Sequence, residues 1–311
     1  MNKHTVIGID LAKSIFQVCI VDARHQKVRT NKALRRHQVR LIAPQFVTPF
    51  RKGHKTDAND ALAIAEAGLR PDMRFVTIKG LEQQDIQSLH RIRDVHIKQR
   101  TQLINQVHGL LQEYGIASGR GQKNLRRCVW LALEDGENEL TVLMRELLVE
   151  QLSELDRLNE RIDQLDKRVR QMSQTLAPCR ELQALEGVGP VTATMLYSAL
   201  GNGHAFNKGR EASAFLGLTP RQYSSGGGVQ LIGIGRTGQS ELKAALIRGA
   251  HAVIKVLGDK QDAKSRWLRA LVHRAGANKA AVALANKTVR TAWAMLHNGQ
   301  AYQKDRMSSP I

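Results

Sequence analysis

Two adjacent serines, Ser224 and Ser225, precede a run of three glycines at 226–228 in this 311-residue chain. A serine hydroxyl can act as a nucleophile once it is activated. The glycines allow the backbone to approach a ligand closely, and we expect a mobile turn here with Arg221 just upstream. A plain polar surface loop has the same composition, so the segment alone leaves both interpretations open.

Three aspartates are candidate ligands for a divalent cation. Asp10 ends a predicted buried strand at 5–10, while Asp57 and Asp60 lie one turn apart at the start of a helix that Thr56 is predicted to cap. Mg²⁺ prefers carboxylate and phosphate oxygens, so the three together indicate a magnesium site. The alternative is structural, because a helix N-terminus also favours aspartates in its first turn.

A second glycine pair, Gly187 and Gly189, separates two helical segments and predicts a helix-hairpin-helix. In such a turn, backbone amides at the start of the following helix can face a phosphate. Arg91 and Arg93 crowd one part of a long predicted helix. We take these four residues, together with Arg221, as candidate contacts to nucleic acid.

The elements that position these residues fall into three predicted domains: 1–80, 81–178 and 179–311. The first is α/β, with an antiparallel meander of strands at 5–10, 15–21 and 27–30, then a strand at 39–43, a helix at 57–68 and an extended piece at 75–78. The second consists of two long helices, 81–114 and 139–176, joined through a linker at 115–121. The third is mostly α-helical, with helices at 240–257, 263–275 and 279–296.

Leucines at nearly heptad spacing run along the second long helix, from Leu148 to Met172, with Asn159 interrupting the series. Sustained over three heptads or more, this pattern predicts a coiled coil that contacts a second copy of the chain. A long helix packed within its own domain would show a similar pattern.

The formal net charge of +19 predicts a polyanionic partner, and double-stranded DNA or another nucleic acid is the obvious one. Aromatic residues make up only 4%, which argues against base stacking on a single strand as the main binding mode. There is no apolar run of about 18 residues and no apolar signal stretch after Met1, so we expect a cytoplasmic protein without a membrane span. The three cysteines are widely spaced and fit reduced thiols rather than a zinc site.

Four motifs occur in one order along nearly the whole chain: GIDLAK at 8–13, KTDANDA at 55–61, GVG at 187–189 and GLTPRQYSSGG at 217–227. This order resembles the DEDD-type transposases of the insertion-sequence 110 and 1111 family, the bridge-RNA-guided recombinases of bacterial mobile elements. The resemblance implies an N-terminal RuvC-like (ribonuclease-H-like) domain, a coiled-coil connection and a C-terminal transposase domain.

The resemblance also implies roles for individual residues. Asp10, Asp57 and Asp60 match metal-site acids, and Ser225 rather than Ser224 matches the serine that attacks a DNA phosphodiester. It further implies Mg²⁺ as cofactor, a structured noncoding guide RNA that selects DNA, and a homo-oligomer, a dimer or a tetramer, whose active sites combine domains of two protomers.

One departure from the family pattern bears on activity. The family has a glutamate between its first and second aspartates, but the only acid between Asp10 and Asp57 is Asp22. A strand-helix-strand unit needs roughly 30 residues or more, and the interval between 27–30 and 39–43 is too short for one. We interpret this as an internal deletion in the RuvC-like domain. Two alternatives to an active recombinase therefore stay open: an inactive deleted copy that binds nucleic acid and oligomerises, and a junction nuclease without serine chemistry.

Overall fold

The computed structural model describes residues 6–11, 16–21, 27–28, 40–73, 75–225, 228–235 and 238–303. The chain divides into two compact units, Met1–Lys79 and Gly80–Ile311. The second unit includes both the long helices and the C-terminal helical part. A division of that unit at residue 178 stays a prediction.

A three-stranded antiparallel sheet opens the first unit, in the order β1 (Val6–Leu11), β2 (Phe16–Val21) and β3 (Lys27–Val28). Its apolar, β-branched sequence favours strands. The described parts of the three strands confirm the predicted meander.

The rest of the first unit is a short ribbon and a helix. Strand β4 (Leu41–Ile42) is shorter than the strand predicted at 39–43, and it pairs antiparallel with β5 (Phe75–Val76). Between them lie the short helix α1 (Pro44–Val47), a 3₁₀ turn at Thr48–Phe50 and the helix α2 (Asp57–Gly68).

Helix α2 begins and ends where the sequence predicts. The Thr56 hydroxyl accepts a hydrogen bond from the Asn59 amide at 3.3 Å, which satisfies a free donor of the first turn. One face consists of small residues that are fully or almost fully buried: Ala61, Ala63, Ala65 and Ala67. Small side chains on this face let the helix approach the sheet closely.

Three helices form the first part of the second unit: α3 (Leu81–Glu113), α4 (Gln122–Glu134) and α5 (Val142–Thr175). Arg93 contacts Asp166, and Arg100 contacts Asn159 farther along α3. Numbering thus rises on α3 as it falls on α5, so the two long helices are antiparallel. The sequence did not predict α4, and α5 starts three residues later than the predicted helix at 139–176.

The leucine series of α5 packs against other helices of the same chain. Leu148, Leu152, Leu155 and Leu158 are buried in a core shared with α3 and α4, and Ile162 is buried as well. The predicted contact of this seam with a second copy is therefore wrong, because the chain's own helices cover these side chains. The alternative, a long helix packed within its own domain, is what the structure has.

One side chain organises the connection between α4 and α5. The Arg145 guanidinium donates hydrogen bonds to the carbonyls of Ala132, Leu133, Asp135 and Leu140 and to Oδ1 of Asn138, at 2.6–3.2 Å. It satisfies carbonyls at the C-terminal end of α4, which lack partners within that helix. The turn between the helices is thereby held by a charged donor on α5.

Charge is unevenly distributed in the second unit. Residues 134–163 contain ten acidic and three basic residues, a net charge of −7 in a chain whose total is +19. Several apolar side chains at the same end of the helices are exposed: Trp130, Leu131, Val142 and Leu143. This end of the unit is therefore acidic and partly apolar.

The C-terminal part of the unit contains six helices among its described residues: α6 (Ala177–Leu182), α7 (Pro190–Leu200), α8 (Gly209–Phe215), α9 (Ser240–Lys255), α10 (Ala263–Ala275) and α11 (Ala277–Asn298). Helices α9, α10 and α11 confirm the three predicted ones to within two residues. A single core joins them, centred on fully buried leucines such as Leu196, Leu216 and Leu268. No helix among the described residues is long and apolar enough to cross a membrane.

A β-hairpin interrupts these helices, formed by β6 (Pro220–Ser225) and β7 (Gly228–Ile234). The sequence predicts a mobile turn or loop for the serine segment. This prediction is wrong for Ser224 and Ser225, which belong to β6, and for Gly228, which begins β7. Ser225 pairs with Gly228 as the last residues of the ladder, and the two glycines between them lie outside the described residues. Two-residue glycine connections are typical of tight hairpins.

Candidate functional site

The register between β1 and α2 decides which positions meet in the first unit. A Cβ at Gly8 would lie 2.2 Å from the carbonyl oxygen of Ala61 and 3.0 Å from Cβ of Ala65, so strand and helix backbones touch here. A Cβ at Gly68 would lie 3.3 Å from Cγ1 of Val6. Numbering therefore rises along β1 as it falls along α2, and the first turn of α2 lies toward the C-terminal end of β1.

This register relates two of the predicted metal ligands. Asp10 is two strand residues beyond Gly8, and Asp57 is four helix residues before Ala61. Two strand residues and four helix residues both advance about 6 Å. The backbone position of Asp10 is thereby brought level with the first helical turn at Asp57.

The third predicted ligand has a competing partner. Oδ1 of Asp60 forms an ion pair with Nη1 of Arg51 at 3.5 Å, and the Asp60 side chain is 21% exposed. Asp57 is exposed on the same turn. The side chain of Asp10 lies outside the described residues, and within the described part of the chain no three His, Cys, Asp or Glu residues cluster as metal ligands do.

The hairpin carries the predicted serine at the end of a solvent-exposed strand. The described side chains of β6 from Arg221 to Ser224 are all exposed, and Tyr223 is 70% exposed. The Gln222 amide donates to the Ser224 hydroxyl at 2.7 Å. The side chain of Ser225 lies outside the described residues, but its strand position has the same parity as Arg221 and Tyr223. Successive positions of a strand alternate between its two faces, so Ser224 belongs to the other face.

Helices of the C-terminal core hold the base of this hairpin. Nδ2 of Asn286 on α11 donates to the carbonyl of Leu218 at 3.2 Å, just before β6. After β7, a Cβ at Gly238 would lie 2.6 Å from the carbonyl carbon of Leu216. Gly238 has φ of +92°, a conformation that favours glycine. Sequence reasoning missed these anchoring residues because their partners are distant along the chain.

The predicted helix-hairpin-helix falls on a turn between α6 and α7. Gly187 has φ of +82°, and Gly189 precedes α7 as its exposed N-terminal cap. A Cβ at Gly249 on α9 would lie 2.1 Å from the carbonyl oxygen of Gly187, so helix and turn touch through backbone atoms. Next to the turn, the Lys264 ammonium pairs with Glu186 at 2.8 Å. The turn is thus fixed from two sides.

A buried histidine supports α7 from behind. Nε2 of His90 on α3 lies 2.9 Å from the Thr194 hydroxyl on α7. Burial, and to a smaller extent the nearby Arg93, lower the pKa of His90 to about 4, although Asp166 acts in the opposite direction. His90 is therefore neutral at physiological pH, and it joins the long helices to the predicted phosphate-binding turn.

The two arginines chosen on α3 differ in their surroundings. Arg91 is exposed and available to a ligand. Arg93 is only partly exposed, because its Nε donates to Oδ1 of Asp166 on α5. Its charge is partly neutralised within the unit, and its described contact stabilises the pairing of the two long helices.

Two family models match separate parts of the chain. A model described as "Transposase IS116/IS110/IS902 family" matches residues 179–273, which include the Gly187 turn and the serine hairpin. A model of IS110-type DEDD transposases, described as "Transposase", matches residues 35–116. The second match includes Asp57 and Asp60 but begins after β1 to β3.

Several curated proteins are similar over most of their length. A "Probable family 20 transposase" of Pseudomonas aeruginosa is 40% identical, with 96% of this chain and 98% of that protein aligned. The "Transposase for insertion sequence element IS1111A" of Coxiella burnetii is 38% identical, with 97% and 92% aligned. The "Transposase for insertion sequence element IS1328" of Yersinia enterocolitica is 36% identical, with 86% and 79% aligned.

Proposed function

Since this chain belongs to the IS110/IS116 family of insertion-sequence transposases, we propose that it cuts and rejoins DNA through Ser225, assisted by a carboxylate-bound divalent cation. The observation that carries the metal part of this proposal is the antiparallel register of β1 and α2. It brings the position of Asp10 level with the helical turn that bears Asp57 and Asp60. The N-terminal unit is then a RuvC-like domain.

The residues of this turn fit a hard cation. Asp57 and Asp60 are one turn apart on one helix, and Asp10 would complete a set of three carboxylates. When bound, Mg²⁺ would neutralise charge on the phosphate. Arg51 holds Asp60 in the absence of a cation, so binding would exchange one positive partner for another.

The reaction is a transesterification in which atoms and charges balance. The Ser225 oxygen forms a bond to the DNA phosphorus, and one ester bond of that phosphodiester breaks. The serine proton ends on the oxygen of the released strand, which leaves as a hydroxyl. Arg221 has the same parity on β6 and is exposed. Four strand residues, about 13 Å, separate it from Ser225, so its guanidinium can neutralise a neighbouring phosphate of the bound strand.

The covalent intermediate provides the test of the serine. With DNA of the element's ends, the wild-type protein should form an adduct that migrates slowly in a denaturing gel. Ser225→Ala should abolish this adduct, because no other oxygen nucleophile stands at that position. Ser224→Ala is the matched control on the opposite strand face and should retain it. An adduct that survives Ser225→Ala would contradict the assignment.

Mn²⁺ binding provides the test of the carboxylates. Asp57→Asn and Asp60→Asn should each weaken Mn²⁺ binding measured by electron paramagnetic resonance, since each removes one charged oxygen ligand. Asp72→Asn, an exposed aspartate of the same unit, should leave binding unchanged. Equal binding by all three variants would exclude this turn as the metal site.

Double-stranded DNA and a structured noncoding guide RNA are the partners we propose. The charge of +19 and the exposed turn at Gly189, which resembles a helix-hairpin-helix, support phosphate binding. Affinity for both nucleic acids should fall by orders of magnitude between low and moderate salt. An affinity that does not change with salt in filter binding would exclude nucleic acid as the main partner. Equal affinity for random duplex and for the element's RNA would exclude a guide RNA as a specific partner.

A second candidate function, an inactive deleted copy, is supported by the alignment lengths. The alignment with the Pseudomonas aeruginosa protein extends over 332 positions, whereas 96% of this 311-residue chain is about 299 residues. About 33 positions therefore have no counterpart in this chain. That length suits one strand-helix-strand unit, the segment inferred to be missing with its glutamate.

A cell-based excision assay separates the two candidates. We expect little recombination from this chain with the element's ends and RNA present, while nucleic-acid binding persists. Inserting the relative's corresponding segment between residues 30 and 39 should restore excision. Robust recombination by the unmodified chain that depends on Asp10 and Asp57 would exclude the inactive copy.

A homo-oligomer, a dimer or a tetramer, is also proposed, but through a different surface from the leucine seam. Trp130, Leu131, Val142 and Leu143 are 52–74% exposed and could be covered by a second copy. Leu143→Glu should lower the mass measured by light scattering, whereas Val95→Glu, at a 50% exposed site on α3, should not. An unchanged mass in both variants would exclude this end of the helices.

A further inference from the structure

Two cations and an indole meet between α10 and α11, at a place that no motif assigned. Lys287 and Arg290 lie three residues apart and so share one face of α11. Lys264 and Trp267 share a face of the neighbouring α10 in the same way. The Lys287 ammonium lies 5.0 Å from the centre of the Trp267 ring.

The charges of this group are not balanced. Lys264 is paired with Glu186 at 2.8 Å, but neither Lys287 nor Arg290 forms an ion pair with a carboxylate of the described residues. Burial lowers the pKa of Lys287, and the charges of Lys264 and Arg290 lower it further, without an opposing acid. A partly buried ammonium near two other cations, without a carboxylate partner among the described residues, would be stabilised by a bound anion.

The group also borders elements already described. Asn286, next to Lys287, anchors the base of the serine hairpin, and Lys264 is bonded beside the Gly187 turn. Trp267 remains 37% exposed. Aromatic side chains that border a basic surface stack on unpaired bases, while the cations bind the adjacent phosphate.

We propose that Lys287, Arg290 and Trp267 form a subsite for an unpaired nucleotide, with the phosphate on the two cations and the base on the indole. The subsite rests on the proposed nucleic-acid binding of this chain and names the part of the ligand bound there. Unpaired nucleotides occur in loops of a structured RNA and in strands opened for exchange.

Binding measurements with three probes test the subsite: a DNA strand of about 20 nucleotides, longer than one binding site, its RNA counterpart and the corresponding duplex. Trp267→Ala should weaken binding of the single strands by about 5- to 150-fold and that of the duplex much less. Lys287→Gln and Arg290→Gln should weaken all three and lower the salt slope by about 0.7 to 0.9 each. Lys287→Arg should retain binding.

The control comes from the acidic part of the same unit, residues 134–163. Arg161→Gln removes an exposed guanidinium there and should change neither affinity nor slope. Fluorescence gives a second measurement, because stacking should quench Trp267 and Trp267→Phe should lose that quenching. A greater loss for the DNA strand than for its RNA counterpart would identify the opened DNA as the source of the nucleotide.

Three results would overturn the proposal. Unchanged single-strand affinity of Trp267→Ala, with normal salt-dependent binding by the wild type, would exclude the subsite and leave the proposed function intact. Absence of nucleic-acid binding by the wild type would exclude both. A lower melting temperature of Lys287→Gln would mark a structural lysine, because relief of repulsion between three cations should keep or raise that temperature.

Discussion

Gly249 and Gly187 touch through their backbones, and this contact gives a measurable prediction. A Cβ at Gly249 would lie 2.1 Å from the carbonyl oxygen of Gly187, whereas ordinary contacts begin at 3.4 Å. In Gly249→Ala, α9 and the turn must therefore separate by about 1 Å. Overfilling a packed core in this way destabilises by about 1–3 kcal/mol.

The higher helix propensity of alanine stabilises Gly249→Ala and so opposes the destabilisation by overfilling. Comparison with a matched glycine-to-alanine variant in another helix subtracts this propensity effect. Alanine is favoured over glycine inside a helix by about 1 kcal/mol. Gly109 lies inside α3, and a Cβ there meets nothing within 4 Å. Gly109→Ala should therefore raise the free energy of unfolding by up to about 1 kcal/mol, so the two variants should differ by about 1–3 kcal/mol, the overfilling alone.

Thermal melting of both variants measures this difference. About 2–4 °C per kcal/mol is expected for a unit of this size, so Gly249→Ala should melt several degrees below Gly109→Ala. It should also bind DNA more weakly, because the displaced turn carries the amides that we propose face a phosphate. If Gly249→Ala were as stable as Gly109→Ala and bound DNA as well, the close approach of helix and turn would be refuted.

Other predictions concern the long helices. Leu155→Asp or Ile162→Asp should lower the free energy of unfolding by about 4 kcal/mol or more in urea denaturation, because each buries an unpaired charge; folded protein of reduced mass in light scattering would contradict the internal seam. His90 binds no proton in the folded chain until about pH 4, whereas the unfolded chain binds one near pH 6.5. Stability should therefore fall by about 3 kcal/mol as the pH drops through this interval, and urea melts of His90→Gln should lack that part of the pH dependence. Arg145→Met should cost about 2–4 kcal/mol by chemical denaturation, since it leaves several carbonyls without a donor; Arg161→Met, at an exposed site of α5, should cost little, and an equal loss in both would argue against the network.

Local signals predicted part of the fold. Thr56 followed by two aspartates fixed the start of α2, and hydrophobic periodicity predicted α3 and most of α5. Helix α4 lacks a capping side chain, because the residue before it is a glycine. Its buried Leu125, Val129 and Ala132 do recur at helical spacing and pack in the core shared with α3 and α5, so sequence reasoning missed a signal that was present. The hairpin of β6 and β7 was not predicted, because the serines and the glycine run indicated a turn or loop.

The candidate site was predictable only in its residue types. Spacing placed Asp57 and Asp60 on one turn, but their relation to Asp10 depends on how α2 packs against β1. The anchors of the C-terminal part are less local still, since Asn286 reaches Leu218 across 68 positions of the chain. Such contacts follow from packing of whole helices, and no short motif contains them.

The acidic end of the long helices, residues 134–163, gives the second unit an electric dipole. A polyanion repels this end and attracts the basic remainder, so the unit experiences a torque as it approaches DNA. The torque acts before any contact forms and within about 10 Å at 0.1 M salt. The acidic segment 134–163 is thereby turned away from the nucleic acid, and the basic helices of the C-terminal part arrive first.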